Sequence, residues 1–289
     1  MTTEEEWWIG SYAEDIHHHL RSKERSRFIF LGQSPQLHLR KSMIEWMDMV
    51  CQKMEFCTTV QHLAVYLLDI FMDNHTIYND HLRMVIIGCL IVAVKLEERD
   101  HLIPKNSYFN ILLENKYKLI EFVHVEISIL SFFKWDILHP TAAHFAEYYA
   151  LYALQQSDSL GDKPLPNYEL IKIYIRKYID YFLEVSILDP IFNNFTPSLV
   201  AASCIASTRI CLSITPSWSE QLLNVTYYKY LQLKPCIEKL MKALDMDLSS
   251  ACNSPECYPS HASQCSDTGG NSSPVSTDCI VLHECLMGD

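Results

Sequence analysis

The chain has 289 residues, 49% of them hydrophobic and 20% charged, so it can bury a sizeable core in about two domains of ~150 residues. A formal net charge of −12 argues against nucleic acid as the main ligand, because duplex-binding domains present a basic surface. Only 7 residues are glycine, which disfavours turn-rich β architectures and phosphate-cradling loops.

The cysteines and the apolar runs indicate the compartment. The 11 cysteines contain no C-x-x-C pair, and the acidic N-terminus lacks the pattern of a signal peptide. The longest apolar run, residues 84–94, is shorter than the ~20 residues that a membrane span needs. We therefore expect an intracellular protein with reduced thiols and no membrane association.

The N-terminal stretch predicts one amphipathic helix at residues 11–24, because Tyr12, Ile16 and Leu20 recur on one face. Turn-forming residues at 32–36 end this pattern. A first set of helical patterns then follows at residues 39–54, 58–74, 82–98 and 117–135.

The third pattern of this set is apolar on all sides, which is typical of a buried helix, and it ends in Lys95 and two glutamates. In the fourth pattern an apolar stripe recurs in step and predicts one apolar helix face. The stripe consists of Ile120, Val123, Ile127 and Leu130.

A second set of helical patterns begins after the His-Pro-Thr of residues 139–141. Its apolar central helix ends in Arg209, as that of the first set ends in Lys95. The acidic residues Asp69 and Glu184 precede these two basic residues at similar spacing. The sequence therefore predicts two similar helical domains. From residue 249 onward the composition changes to Ser, Cys, Thr, Pro and Gly, which predicts disorder.

Several stretches resemble the cyclin family. LRKSMIEWMDMV resembles the first helix of a cyclin box, LIVAVKLEERDHLIP the end of its third, and VHVEISILSFFKWDILHPT its fifth and the exit from it. DYFLEVSILD and PSLVAASCIAS resemble a second box, and SYAEDIHHHLR resembles the helix that precedes the boxes in cell-cycle cyclins. The resemblance extends over residues 11–245 and is specific, because these motifs occur in the family's order.

The resemblance implies an all-α fold of two tandem five-helix cyclin-box domains, preceded by an N-terminal helix and followed by a disordered tail. The implied boundaries are an N-terminal helix and linker at 1–38, the first box at 39–139, the second at 140–248 and the tail at 249–289.

It also implies a non-catalytic regulatory subunit that binds and activates a cyclin-dependent serine/threonine protein kinase in cell-cycle control. The partners would be the kinase, in a heterodimer, and its protein substrates, in the nucleus or the cytoplasm; no cofactor is implied. Lys95 and Glu126 match the family residues that hold the regulatory αC helix of the kinase. Further kinase contacts are assigned by the resemblance to Tyr12, Ile16, Val92, Leu96, Glu97, Leu130, Trp135 and Ile137.

The family's substrate-docking groove is degenerate in this sequence. Its matching positions are Leu39, Arg40, Met43, Trp46 and Arg83. Ser42 replaces an apolar residue of the groove, Met49 replaces its acid, and Arg83 replaces its glutamine. We expect docking of a basic Arg-x-Leu motif to be weak or altered.

Other functions remain open at this point. Lys95 alone is explained by the favourable interaction of a cation with a helix C-terminus. A cyclin-fold module that binds peptides or transcription complexes without activating a kinase is the alternative function. An enzyme is disfavoured, because no nucleotide-binding, nucleophile-elbow or H-E-x-x-H motif occurs. The consecutive His17, His18 and His19 point in different directions on a helix, so no metal site is predicted.

Overall fold

The computed structural model describes residues 7–252, and most of the predicted tail lies outside this range. The described part is helical and confirms the predicted all-α fold class. A first helix, α1, is followed by two groups of five helices. The last helix continues to Cys252, past the predicted start of the tail at residue 249.

The first five-helix group surrounds its apolar member. The leader is α1 (Ala13–Lys23), and the five helices of this group are α2 (Arg40–Met54), α3 (Thr58–Asn74), α4 (Leu82–Glu97), α5 (Asn106–Leu112) and α6 (Leu119–Phe132). Helix α4 packs against α3 and α6, and its side chains from Met84 to Val94 are buried. At Gly88 a Cβ atom would lie only 2.8 Å from Ile129 Cδ1, so the glycine permits the close approach of α4 and α6.

The second group repeats this arrangement around α9. Its elements are α7 (Ala142–Ala150), α8 (Tyr168–Leu188), α9 (Pro197–Cys211), α10 (Glu220–Thr226) and α11 (Tyr230–Cys252), with short strands β1 (Ser159–Leu160), β2 (Lys163–Pro164) and β3 (Ile214–Thr215). Helix α9 contacts α7, α8 and α11. The strands form an antiparallel sheet in the order β2-β1-β3, which closes the loop between α7 and α8 onto the end of α9.

Helix α1 docks on the second group. Its His17 is buried and its Nε2 lies 3.0 Å from the Tyr149 hydroxyl. Glu24, directly after α1, accepts hydrogen bonds from the backbone and side chain of Ser198 at the start of α9. The chain then crosses to the first group, where Lys23 pairs with Asp136 at 2.8 Å. The leader therefore joins both groups.

A buried ion pair fixes the two groups to each other. Arg40 of α2 donates to both carboxylate oxygens of Asp69 on α3, each at 2.8 Å. Its remaining N–H groups donate to the carbonyl oxygens of Ile187 and Leu188 at the end of α8. Removing one partner of such a pair strongly destabilises the protein, because the other charge stays buried without a counter-charge.

Candidate partner-binding face

The Lys95 ammonium and the Glu126 carboxylate meet at 2.5 Å, one from the last turn of α4 and the other from the middle of α6. The Lys95 side chain is about half exposed, so donors of its ammonium remain available to another molecule. The position at a helix C-terminus also favours a cation. The predicted pair of charges is thus formed in the free protein.

The glutamates that follow Lys95 anchor the end of α4. The Nδ1 of His144 on α7 accepts the backbone N–H of Thr141, so its Nε2 carries a proton and donates to Glu97 at 3.1 Å. Glu98 accepts the backbone N–H of Cys57, just before α3, at 2.9 Å. Glu97 was predicted to contact a kinase. The structure places its carboxylate within hydrogen-bond distance of His144, in a contact between the two groups, and the kinase contact stays a prediction.

Three of the four residues of the apolar stripe predicted on α6 face solvent, and the fourth, Leu130, is buried. Ile120, Val123 and Ile127 are 54%, 36% and 47% exposed. The core side of the same helix is formed by a second apolar stripe, of which Phe122 and Ile129 are fully buried. Glu126 follows Val123 by three positions and therefore flanks the exposed stripe. Leu96, next to Lys95, adds exposed apolar surface at the end of α4.

Trp135 stands at the end of this face. It is 67% exposed, and both it and Lys134 have positive φ, at 62° and 54°. The backbone N–H of Trp135 donates to the Leu130 carbonyl at 2.8 Å, which closes the end of α6. Non-glycine residues in this left-handed region carry strain, and such strain concentrates at functional sites.

We define the α4–α6 face as Lys95, Leu96, Ile120, Val123, Glu126, Ile127 and Trp135. The other predicted kinase contacts lie elsewhere or offer less surface. Val92 is 2% exposed and Leu130 is also buried, so both support the face from the core instead of offering contact surface. Ile137 is half-buried. Tyr12 is exposed on α1, while Ile16 packs partly against the second group.

The predicted docking groove has lost two of its members. Arg40 and Met43 are buried, Arg40 because its guanidinium is engaged by Asp69, and neither presents a surface. The Arg83 guanidinium lies 5.4 Å from the centre of the Trp46 ring, a cation–π arrangement that covers the indole. Leu39 is half-buried beside them.

Sequence reasoning missed the orientation of α6. Its exposed stripe was found, but nothing marked it as solvent-facing, because the opposite side is equally apolar. The second stripe was the available signal. A helix with two apolar faces can pack only one of them on the buried helix, so the other face is left for solvent or a partner.

The described residues were also compared with the requirements of a metal site and of a membrane-spanning helix. Within residues 7–252 no group of three or more His, Cys, Asp or Glu side chains is placed to hold a metal ion. In the same range no helix combines the length and the apolar character needed to cross a bilayer.

Comparison with protein families gives two matches that together extend over most of the chain. Residues 15–138 match "Cyclin, N-terminal domain" and residues 140–268 match "Cyclin, C-terminal domain". Among solved structures, the X-ray structure of a viral cyclin from herpesvirus saimiri aligns with a TM-score of 0.53 at 16% identity. The alignment covers 80% of this chain and 100% of the viral chain, a likeness of fold alone.

Individual relatives give the same family. Cyclin-J of Xenopus laevis is 41% identical over 270 residues, which is 92% of this chain and 70% of that protein. Human cyclin-J is 39% identical and the mouse cyclin-J-like protein 37% identical, over 87% and 86% of this chain. The alignments span 66% of the length of these two relatives, so the relatives extend beyond the matched segment.

Proposed function

The chain belongs to the cyclin family, and from this premise we propose that it binds a cyclin-dependent serine/threonine protein kinase and activates it. It does so as a non-catalytic regulatory subunit, in a heterodimer in the nucleus or the cytoplasm. The kinase rests against the α4–α6 face.

One observation carries the proposal: an exposed apolar stripe on α6 lies beside a preformed Lys95–Glu126 pair. Side chains such as Ile120 and Ile127 lose contact with water when a partner covers them, which favours binding at about 25 cal/mol per Å². Trp135 is the aromatic anchor of a kind that dominates interface energies.

The charged groups of the face would orient the kinase on this apolar contact. The free donors of Lys95 can bind carbonyl oxygens at the end of a kinase αC helix, and Glu126 can accept N–H groups there. A kinase needs an ion pair between its αC glutamate and a strand lysine before ATP is positioned. Holding αC inward therefore favours the active state of the kinase. To shift the ratio of active to inactive kinase from 1:99 to 99:1, the chain must bind the active state about 5.5 kcal/mol more tightly than the inactive state.

The test is recovery of cyclin-dependent kinases from cell extract on the immobilised full chain, followed by phosphorylation of histone by the recovered complex. Wild type is compared with a Lys95→Ala/Glu126→Ala variant. We expect wild type to recover active kinase and the double variant to recover at least tenfold less activity, because the charged part of the face is removed.

The matched control is Lys234→Ala/Glu238→Ala, which removes an exposed ion pair at the second group, on α11. It should behave as wild type. Kinase recovery that is equal for all three proteins would contradict the role of the α4–α6 face. No kinase with any of them would favour the alternative, a cyclin-fold module that binds peptides or transcription complexes.

A further inference from the structure

A cavity of about 50 Å³ lies between the two helix groups, away from the α4–α6 face. Its walls include Arg27 of the linker after α1, His62 of α3 and Asn193 of the segment after α8. It adjoins a larger cleft of about 260 Å³, which shares Arg27 and Asn193 and adds Arg25 at its rim. The cavity is therefore reachable from solvent.

Two nitrogen atoms of this cavity wall have no hydrogen-bond partner among residues 7–252. They are Nε of Arg27 and Nε2 of His62, and both atoms are buried. His62 as a whole is only 4% exposed. Buried polar groups in proteins are almost always paired, and leaving one unpaired costs roughly 1–3 kcal/mol. Two unpaired nitrogens on one cavity point to a bound group that supplies acceptors.

The charges around the cavity favour an anion. The carboxylate of Asp69, which lines the cavity, already binds Arg40 and Asn193. The carboxylate of Glu24, which lines the adjoining cleft, binds Ser198. Within the described residues no carboxylate lies within ion-pair distance of Arg27, whose guanidinium sits 4.3 Å from the centre of the Tyr66 ring.

The lining groups sum to a positive charge, since three guanidiniums, of Arg25, Arg27 and Arg40, face the two carboxylates of Glu24 and Asp69. Burial lowers the pKa of the Arg27 guanidinium, while Tyr66 and the carboxylates of Glu24 and Asp69 act in the opposite direction. Burial also lowers the pKa of His62 to about 3, so its ring is neutral and can donate only one N–H.

We propose that this cavity between the helix groups binds a small oxyanion of the phosphate class, with Arg27 and His62 as its buried donors. Arg25 draws the anion in from the rim. Because Arg27 belongs to the leader, His62 to the first group and Asn193 to the second, the bound anion ties all three parts together. The site is separate from the α4–α6 face and does not depend on kinase binding.

The experiment is calorimetric titration of the full chain with inorganic phosphate, together with thermal unfolding at constant ionic strength set by chloride. We expect saturable binding and a matching rise in Tm, because a ligand that binds only the folded state stabilises it by mass action. Arg27→Gln and His62→Leu should each weaken phosphate binding at least tenfold. Arg99→Gln, which removes one exposed charge elsewhere, should bind as wild type.

Equal phosphate effects in all four proteins, or a Tm that follows ionic strength without saturation, would overturn the proposal and leave water as the occupant. If Arg27→Gln fails to fold by circular dichroism, His62→Leu decides, because it removes the donor without removing a charge. Competition by a phosphoserine peptide identifies the source of the anion. A peptide that displaces phosphate assigns a phosphorylated protein segment, and one that does not assigns the free ion.

Discussion

The ends of the two central helices, α4 and α9, carry a basic residue at matching positions and use it in opposite ways. Arg209 at the end of α9 is 0% exposed and binds both oxygens of Asp158, each at 2.8 Å. It also donates to the carbonyl oxygens of Ala153 and Pro216. Lys95 at the end of α4 reaches solvent, and among residues 7–252 its ion-pair partner is Glu126.

The difference separates a charge that stabilises the fold from a charge that can bind a partner. Arg209 uses its donors within the fold, where it fixes the loop before β1 and the loop after β3 to α9. Lys95 is held in place by Glu126, while about half of its side chain is exposed. The pattern of an apolar helix that ends in a cation thus predicts the repeat, whereas the partner of the cation decides the function.

The largest expected effect on the free energy of unfolding comes from the buried Arg209–Asp158 pair. Asp158→Ala leaves the Arg209 guanidinium buried without its carboxylate, so we expect a loss of about 3–5 kcal/mol in the free energy of unfolding. Glu126→Ala removes the partner of the exposed Lys95 and should cost under about 1 kcal/mol. Urea denaturation of the full chain measures both. Similar costs for the two variants would mean that the two pairs do not differ in this way.

An intermediate effect concerns the leader that docks on the second group. Burial, then the neighbouring charges of Arg21 and His18, lowers the pKa of His17 to about 4 in the folded protein. The unfolded chain takes up the proton first as the pH falls through about 6.5. Stability is therefore lost on acidification, by about 2 kcal/mol from this group between pH 7 and pH 5.

Urea denaturation at pH 7 and pH 5 tests this for wild type and two variants. His17→Gln keeps a hydrogen-bonding side chain toward Tyr149 but does not titrate, so its loss on acidification should be smaller by about 2 kcal/mol. His19→Gln, exposed on the same helix, should lose as much as wild type. The same pH dependence in His17→Gln and wild type would show that another group is responsible.

Periodicity and resemblance predicted most of the fold. The all-apolar run at residues 82–98 is the buried helix α4, and the two helical groups follow the predicted order. The stretches GQSPQLHLR, HLAVYLLDIFMD, PTAAHF and YFLEVS look most like cyclin-J or its cyclin-J-like relative. Identities of 39% to 41% with cyclin-J and 37% with a cyclin-J-like protein confirm that relationship.

The site was less predictable, for physical reasons. Glu97 and His144 are far apart in the chain, and no local pattern reports their contact. Arg209 pairs with Asp158, which lies in a loop that carries no recognisable sequence signal. The Lys95–Glu126 pair was predicted only because the resemblance supplied both residues.

The smallest expected effect is at Trp135, where one substitution should give a more stable protein than another, whereas the changes above lower the free energy of unfolding. Its φ of 62° strains a side-chain-bearing residue, and its ring buries little. Glycine adopts this backbone conformation freely, so Trp135→Gly should be about 1 kcal/mol more stable than Trp135→Ala, which keeps the strain. Both variants should lose kinase recovery equally, since both lose the indole. A glycine variant less stable than the alanine variant would show that the left-handed backbone costs nothing, and the strained end of α6 would then no longer distinguish it as a functional face.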